Sequence, residues 1–172
     1  MLSLPVVFWM QLLLFGLIGS LRGWAREMLV LCGLILALFL NSVIVQFVPG
    51  AAELLSSQTP VAQFGVRAMF LCGLAFFGYQ TPTLSAAIAE KTRREKLEDM
   101  LLGFFLGLLN GYLLAGALWF YLDATGYPIN GVLPPIEDLS KWLQYMPPVL
   151  LAAPYIYFAV GLVFLFVIVM FV

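Results

Sequence analysis

The fold of this chain is decided by residues 99–123, which read DMLLGFFLGLLNGYLLAGALWFYLD. Between its two acidic ends the segment carries no charged residue. A helix of about 20 mainly apolar residues is long enough to cross a bilayer, and this segment reaches that length. Gly103, Gly107, Gly111 and Ala115 recur at every fourth position, and a helix carries them as one ridge of small side chains. Because lipid tails are as apolar as leucine, membrane helices associate through close packing. We therefore predict that another helix packs along this ridge, in the manner of a glycine zipper.

The composition is typical of a membrane protein. Of the 172 residues, 63% are hydrophobic and only 10% are charged, whereas about one quarter of a soluble domain is charged. Several apolar segments of about 20 residues predict an all-α, polytopic membrane protein, and the two-residue period of a membrane barrel is absent. The net charge of −1 argues against nucleic acid as a partner.

We predict about five membrane-spanning helices together with short amphipathic helices at the membrane surface. The spans are placed at about residues 4–21, 28–48, 61–81, 99–123 and 149–172. Residues 98–99 are acidic and are expected to supply the first turn of the fourth span. The amphipathic segment 83–97 either lies at the surface or continues as a solvated helix, and 136–146 is expected at the interface. The first four spans form one domain, residues 1–148, to which residues 149–172 add a further span.

The basic residues predict the orientation in the membrane. A five-span topology places six cations in loops on one side: Arg22, Arg26, Lys91, Arg93, Arg94 and Lys96. The other side carries Lys141, and Arg67 as well if its side chain reaches outward. The positive-inside rule then places the N-terminus outside and the C-terminus in the cytoplasm. Because no basic residue precedes Arg22, we expect the first span to be retained rather than cleaved as a signal peptide.

The turn between the first two spans, SLRGWARE, contains the first candidate functional cluster, formed by Arg22, Gly23, Arg26 and Glu27. Gly23 is the natural pivot of the turn. If the segment is helical, Arg22 and Arg26 share a face and could bind a lipid phosphate or the carboxylate of a partner. The simpler alternative is that these cations only orient the protein in the membrane.

Two of the polar residues within the predicted spans, Arg67 and Asn110, are candidates for a specific role. Arg67 lies about 10 Å into the third span, and a guanidinium at the bilayer centre costs about 2.5–3.5 kcal/mol. We expect its side chain either to reach the outer surface or to meet one of four polar residues: Glu53, Asp123, Gln11 or Gln46. Asn110 lies near the middle of the membrane beside the ridge, where an interhelical hydrogen bond contributes about 0.6 kcal/mol.

The sequence carries no signature of an enzyme. It has no histidine, and therefore lacks the commonest metal and haem ligand and the usual general base near neutral pH. A glycine-rich phosphate loop and a nucleophile beside a base are also missing. Cys32 and Cys72 each lie within an apolar run and are expected to be packing residues. We therefore expect no catalytic activity, no metal and no cofactor.

Two motifs together resemble the colicin V production protein family. SLRGWAREML is similar to the S-x-x-R-G-x-x-R-E segment of that family. LEDMLLGFFLGLLNGYLLAGALWFYLDATG resembles its second signature, an Asp-initiated helix with spaced glycines. The resemblance covers roughly residues 4–145. Where the family usually has Asp-Arg and Arg-Gly, this chain has Asp99-Met100 and Asn110-Gly111.

The resemblance implies a bacterial inner-membrane protein linked to toxin production or export and to envelope maintenance, with no established catalytic activity. We expect an accessory protein that acts in the bilayer by packing along the ridge, with other membrane proteins or with itself. Two alternatives stay open. One is a small oligomeric pore whose subunits pack through the ridge, and the other is an accessory subunit of a larger membrane complex.

Overall fold

The computed structural model describes residues 3–80, 86, 96–132, 134 and 141–171, and every regular element within them is helical. In chain order the first five helices are α1 (Leu4–Arg22), α2 (Trp24–Phe47), the short α3 (Ala51–Ser56), α4 (Pro60–Tyr79) and α5 (Lys96–Ala124). All of these except α3 are long and apolar enough to cross a membrane. The described part of the chain therefore confirms the predicted class, a helical membrane protein.

The region after α5 departs from the predicted last span. Instead of one helix over 149–172, a 3-10 helix (Lys141–Tyr145) and the short α6 (Pro147–Leu150) precede α7 (Tyr155–Phe171). Helix α7 begins directly after Pro154, whose fixed φ and missing N–H suit the start of a helix rather than its interior. With 17 residues α7 is shorter than the four long helices, and the fifth crossing stays a prediction.

The core lies where α2, α4 and α5 meet. Leu34, Leu71 and Leu113, one from each of these helices, are buried together, and Ile156 from α7 covers the same cluster. Helix α5 buries more residues than any other helix, because α1 packs along one of its sides and α2 along another. It is therefore the central helix of the structure.

Helix α7 runs antiparallel to α2. Near its start, the ring of Tyr157 lies 6.3 Å from the ring of Phe39, which is in the second half of α2. Near its end, Phe166 packs against Trp24, the first residue of α2. The end of α7 therefore lies at the same level as the turn between α1 and α2.

The predicted surface helices are only partly within the described residues. Most of 83–97 lies outside them, as do residues 135–140. The described remainder of the second segment, Lys141–Tyr145, is a single 3-10 helix rather than an α-helix, and the side chain of Trp142 is half exposed. The division into a domain of residues 1–148 and an added helix stays a prediction.

Candidate functional site

The ridge of α5 lies against α1 of the same chain. Gly103, Gly107 and Gly111 are all buried. A Cβ added at Gly107 would lie against the backbone carbonyl oxygen of Phe15 and 3.1 Å from the Cα of Gly16. Such close approach of two backbones requires residues without a side chain. Because the chain itself covers this ridge, a partner protein or a second copy would have to bind another surface.

Helix α1 presents small residues of its own to the ridge. A Cβ on either Gly19 or Gly103 would meet the carbonyl oxygen of the other residue. Further along, Ala115 packs with Phe8 of α1 and with Trp119. The contact between the two helices therefore extends over about three turns of α5.

The turn between α1 and α2 is closed by a carboxylate from α5. Gly23 has a φ of +84°, a conformation that favours glycine, and it separates the two helices. Asp99 Oδ1 accepts a hydrogen bond of 2.9 Å from the backbone N–H of Trp24. Asp99 lies in the first turn of its own helix, α5, as predicted, and the structure adds that its carboxylate also caps α2. It does so because the first N–H groups of a helix lack partners and favour an anion.

A buried pair of polar side chains fastens α2 to the middle of α5. Glu27 and Asn110 both have 0% exposure. Asn110 Nδ2 donates two hydrogen bonds of 2.9 Å, one to Glu27 Oε2 and one to the backbone carbonyl of Glu27. Arg22 Nη1 approaches the other carboxylate oxygen at 3.7 Å. Asn110 therefore forms an interhelical bond of the kind that its position in the sequence suggested, with a carboxylate as the acceptor.

The two arginines of the predicted cluster lie on different helices. Gly23 ends α1, so Arg22 and Arg26 do not share a helical face, and the condition for a two-arginine clamp is not met. Arg22 turns inward and stacks over the ring of Tyr79, with 4.0 Å between its guanidinium carbon and the ring centre. Arg26 is exposed. Only Arg26 of this cluster is therefore directed away from the helix bundle.

Arg67 meets neither of the acidic partners that the sequence suggested. Within the described residues it forms no ion pair with Glu53 or Asp123, and both of these carboxylates are exposed. Its guanidinium carbon instead lies 5.6 Å from the ring centre of Tyr121, a buried residue near the end of α5.

Sequence reasoning missed the contacts of two contributors to this site, Asp99 and Tyr79, and it left Gly19 without an assigned partner. Gly19 and Gly23 form a pair of small residues four apart, which indicates a packing face but not the helix that it meets. Asp99 opens the second motif, but nothing in the sequence connects it with the turn at Gly23. Tyr79 carries no local signal, because it reaches Arg22 only through the packing of α4. No group of three histidine, cysteine, aspartate or glutamate side chains in the described ranges could hold a metal ion.

Four long apolar helices define this chain as a helical membrane protein. The buried Glu27–Asn110 pair and the close contact between α1 and α5 hold these helices together. The chain belongs to a known family of this class: the family model described as "Colicin V production protein" matches residues 5–134. Comparison with curated proteins found no match, and comparison with solved structures found none either. The match ends before α7.

The two motifs that carry the family resemblance contact each other. Gly23 and Glu27 come from the first motif, and they meet Asp99 and Asn110 from the second. Arg22 is the one cation within 4.0 Å of Glu27 among the described residues.

Proposed function

We propose that this protein is a non-enzymatic accessory protein of the bacterial inner membrane that acts in toxin production or export and in envelope maintenance. Membership of the colicin V production protein family supports this role. The observation that carries the proposal is the use of the polar residues. Glu27 pairs with both Asn110 and Arg22, so the polar side chains that the two family motifs bring together join helices and do not line an open space.

The exposed face of α1 supports a role in contact with other membrane proteins. Its large side chains include Leu13, Leu17 and Leu21, which are 59%, 59% and 85% exposed. In a bilayer such a face meets either lipid or a partner helix. Because α1 already covers the glycine ridge, the partner contact is better placed here than on the ridge. A pore that packs its subunits through the ridge is disfavoured for the same reason.

The orientation is part of the proposal. The end of α1, the start of α2 and the end of α7 lie at one level, and Arg22 and Arg26 are at that level. The positive-inside rule then assigns this level to the cytoplasm, with the N-terminus outside.

Deleting the protein from a strain that exports colicin V is expected to lower the amount of released toxin and to increase sensitivity to envelope stress. A plasmid that encodes the chain should restore both, and an empty plasmid should not. Equal toxin release and equal sensitivity with and without the protein would contradict the accessory role. Purified protein that gives steady single-channel current in planar bilayers would favour the pore instead.

A further inference from the structure

A cavity lined by both polar and apolar side chains lies at the end of the bundle opposite the Glu27–Asn110 pair. Its volume is about 280 Å³, and it lies between α2, α4, α5 and α6. Its polar lining comes from three helices: Asn41, Ser42 and Gln46 of α2, Arg67 of α4 and Tyr121 of α5. Polar side chains are otherwise rare in these helices, so their convergence on one space requires an explanation. We refer to this space as the Arg67 cavity.

The guanidinium of Arg67 is directed at this cavity with unused hydrogen-bond donors. Among the described residues its side-chain N–H groups form no hydrogen bond and no ion pair. The backbone at Arg67 is held in place, since its carbonyl accepts a hydrogen bond of 3.5 Å from Asn41 Nδ2. A guanidinium within a membrane span is costly unless it meets an anion or water. Among the described residues that line it, the cavity therefore has one positive charge and no carboxylate.

The other polar side chains of the cavity add neutral donors. The hydroxyl of Ser42 and the side-chain amide of Gln46 make no hydrogen bond among the described residues. Of the two glutamines that the sequence suggested as contacts of Arg67, Gln46 lines its cavity, whereas Gln11 lines a different one. The donors in this space outnumber the acceptors.

A second, apolar cavity of about 330 Å³ adjoins the first one. Asn41, Val45 and Arg67 line both cavities. The remaining lining of the second cavity is mainly apolar and includes Ile44, Leu54, Leu55, Val66 and Phe70. Arg67 thus lies at the junction of a donor-rich space and an apolar space.

We propose that the Arg67 cavity binds the anionic group of an amphipathic molecule. A phosphate or carboxylate accepts two parallel N–H bonds from the planar guanidinium, which is the recognition for which arginine is best suited. Ser42 and Gln46 donate to the remaining oxygens, and the adjoining apolar cavity holds the hydrophobic part. The closest such molecule in a bilayer is an anionic phospholipid, whereas free phosphate supplies the anionic group without a hydrophobic part.

The test measures thermal unfolding of the full chain in mild detergent with added phosphatidylglycerol, phosphatidylcholine or inorganic phosphate. We expect phosphatidylglycerol to raise the melting temperature of the native protein and phosphatidylcholine to leave it unchanged. Arg67→Gln should weaken the apparent affinity for phosphatidylglycerol about ten-fold or more, because a charge-assisted bond is lost. Arg26→Gln, which removes an exposed arginine at the other end of the bundle, is the matched control and should keep the native affinity.

A second variant keeps the proposal testable if Arg67→Gln does not fold. Ser42→Leu fills the cavity from α2 and retains the guanidinium, and it should also lose the response to phosphatidylglycerol. An equal rise with inorganic phosphate alone would show that the hydrophobic part of a ligand adds nothing, and would overturn the amphipathic ligand. Equal responses of the native protein and Arg67→Gln, or equal effects of the two lipids, would overturn the proposal.

Discussion

Replacing Gly107 by leucine is expected to prevent the native packing of α1 on α5. A Cβ at this position already lies 3.0 Å from the carbonyl carbon of Phe15 and 3.1 Å from the Cα of Gly16. These are backbone atoms of another helix, so they cannot rotate away as a side chain would. Overpacking a core typically costs about 1–3 kcal/mol, and a whole leucine side chain against backbone should exceed that range.

Gly73→Leu is the matched control for this variant. Gly73 lies within α4, and an added Cβ there would meet no atom within 4 Å. Because glycine is a poor helix former, this control should leave stability unchanged or raise it by about 1 kcal/mol. Both variants are compared with the native protein by thermal unfolding in mild detergent. Equal melting temperatures for Gly107→Leu and Gly73→Leu would show that the ridge is not in close contact.

Replacing Asn110 by leucine is expected to have the second largest effect. The variant removes both hydrogen bonds that Asn110 Nδ2 donates to Glu27, and it leaves a carboxylate of 0% exposure beside Arg22 alone. A buried polar group that loses its partner costs about 1–3 kcal/mol, and a charged group costs more. We therefore expect the free energy of unfolding to fall by about 3 kcal/mol.

A double-mutant cycle isolates this pair from the general effect of substituting a core residue. Glu27→Leu alone leaves the Asn110 amide with one acceptor, the backbone carbonyl of residue 27. The double variant leaves neither an unpaired carboxylate nor an unpaired amide, so it should be more stable than the sum of the two single effects predicts, by about 0.5–3 kcal/mol. If the two single effects simply add, Glu27 and Asn110 are not coupled.

The ridge and the site differ in how much of them the sequence could predict. The four-residue spacing from Gly103 to Gly111 defines one helical face, because that face follows from the pitch of the helix alone. The spacing does not say which helix covers the face. Which helix covers the face depends on how the turn at Gly23 places α1 relative to the rest of the bundle. The small residues Gly16 and Gly19 indicated only that α1 could pack closely against some other helix.

Partners distant in the sequence were the hardest to predict. The first motif identified Glu27, and the position of Asn110 suggested an interhelical bond, but 83 residues separate them and no local rule joins them. Glu53 and Asp123 were suggested for Arg67 because they lie near the same membrane surface, yet the packing directs Arg67 at Tyr121. Two residues at a similar depth in the membrane do not meet unless their side chains also lie on facing sides of their helices.

The last helix shows a different limit of the sequence. Residues 149–172 are nearly all apolar, so hydropathy predicted one continuous span. Hydropathy does not register that proline lacks a backbone donor, and the structure breaks the segment before Pro154 and begins α7 at Tyr155. The prolines of this segment, and not its hydropathy, indicated that the helix would be interrupted.

The central claim is that the ridge of α5 packs on α1 of the same chain, and a disulfide tests it directly. The free cysteines Cys32 and Cys72 are first replaced by serine. Cysteines are then placed at Gly16 and Leu108, because the Cγ of Leu108 lies 3.0 Å from the Cβ position of residue 16. The Cβ of residue 108 is one bond of about 1.5 Å from its Cγ, so the Cβ atoms of residues 16 and 108 lie at most about 4.5 Å apart. A disulfide can bridge that separation.

Mild oxidation of this pair is expected to yield a monomer in which both thiols have been consumed, as read by mass and by non-reducing gel. The control pairs Gly16→Cys with Leu109→Cys, whose side chain is 40% exposed on another face of α5, and it should keep its thiols free. A cross-linked dimer from the Gly16–Leu108 pair, or two free thiols after oxidation, would contradict packing of the ridge on its own α1.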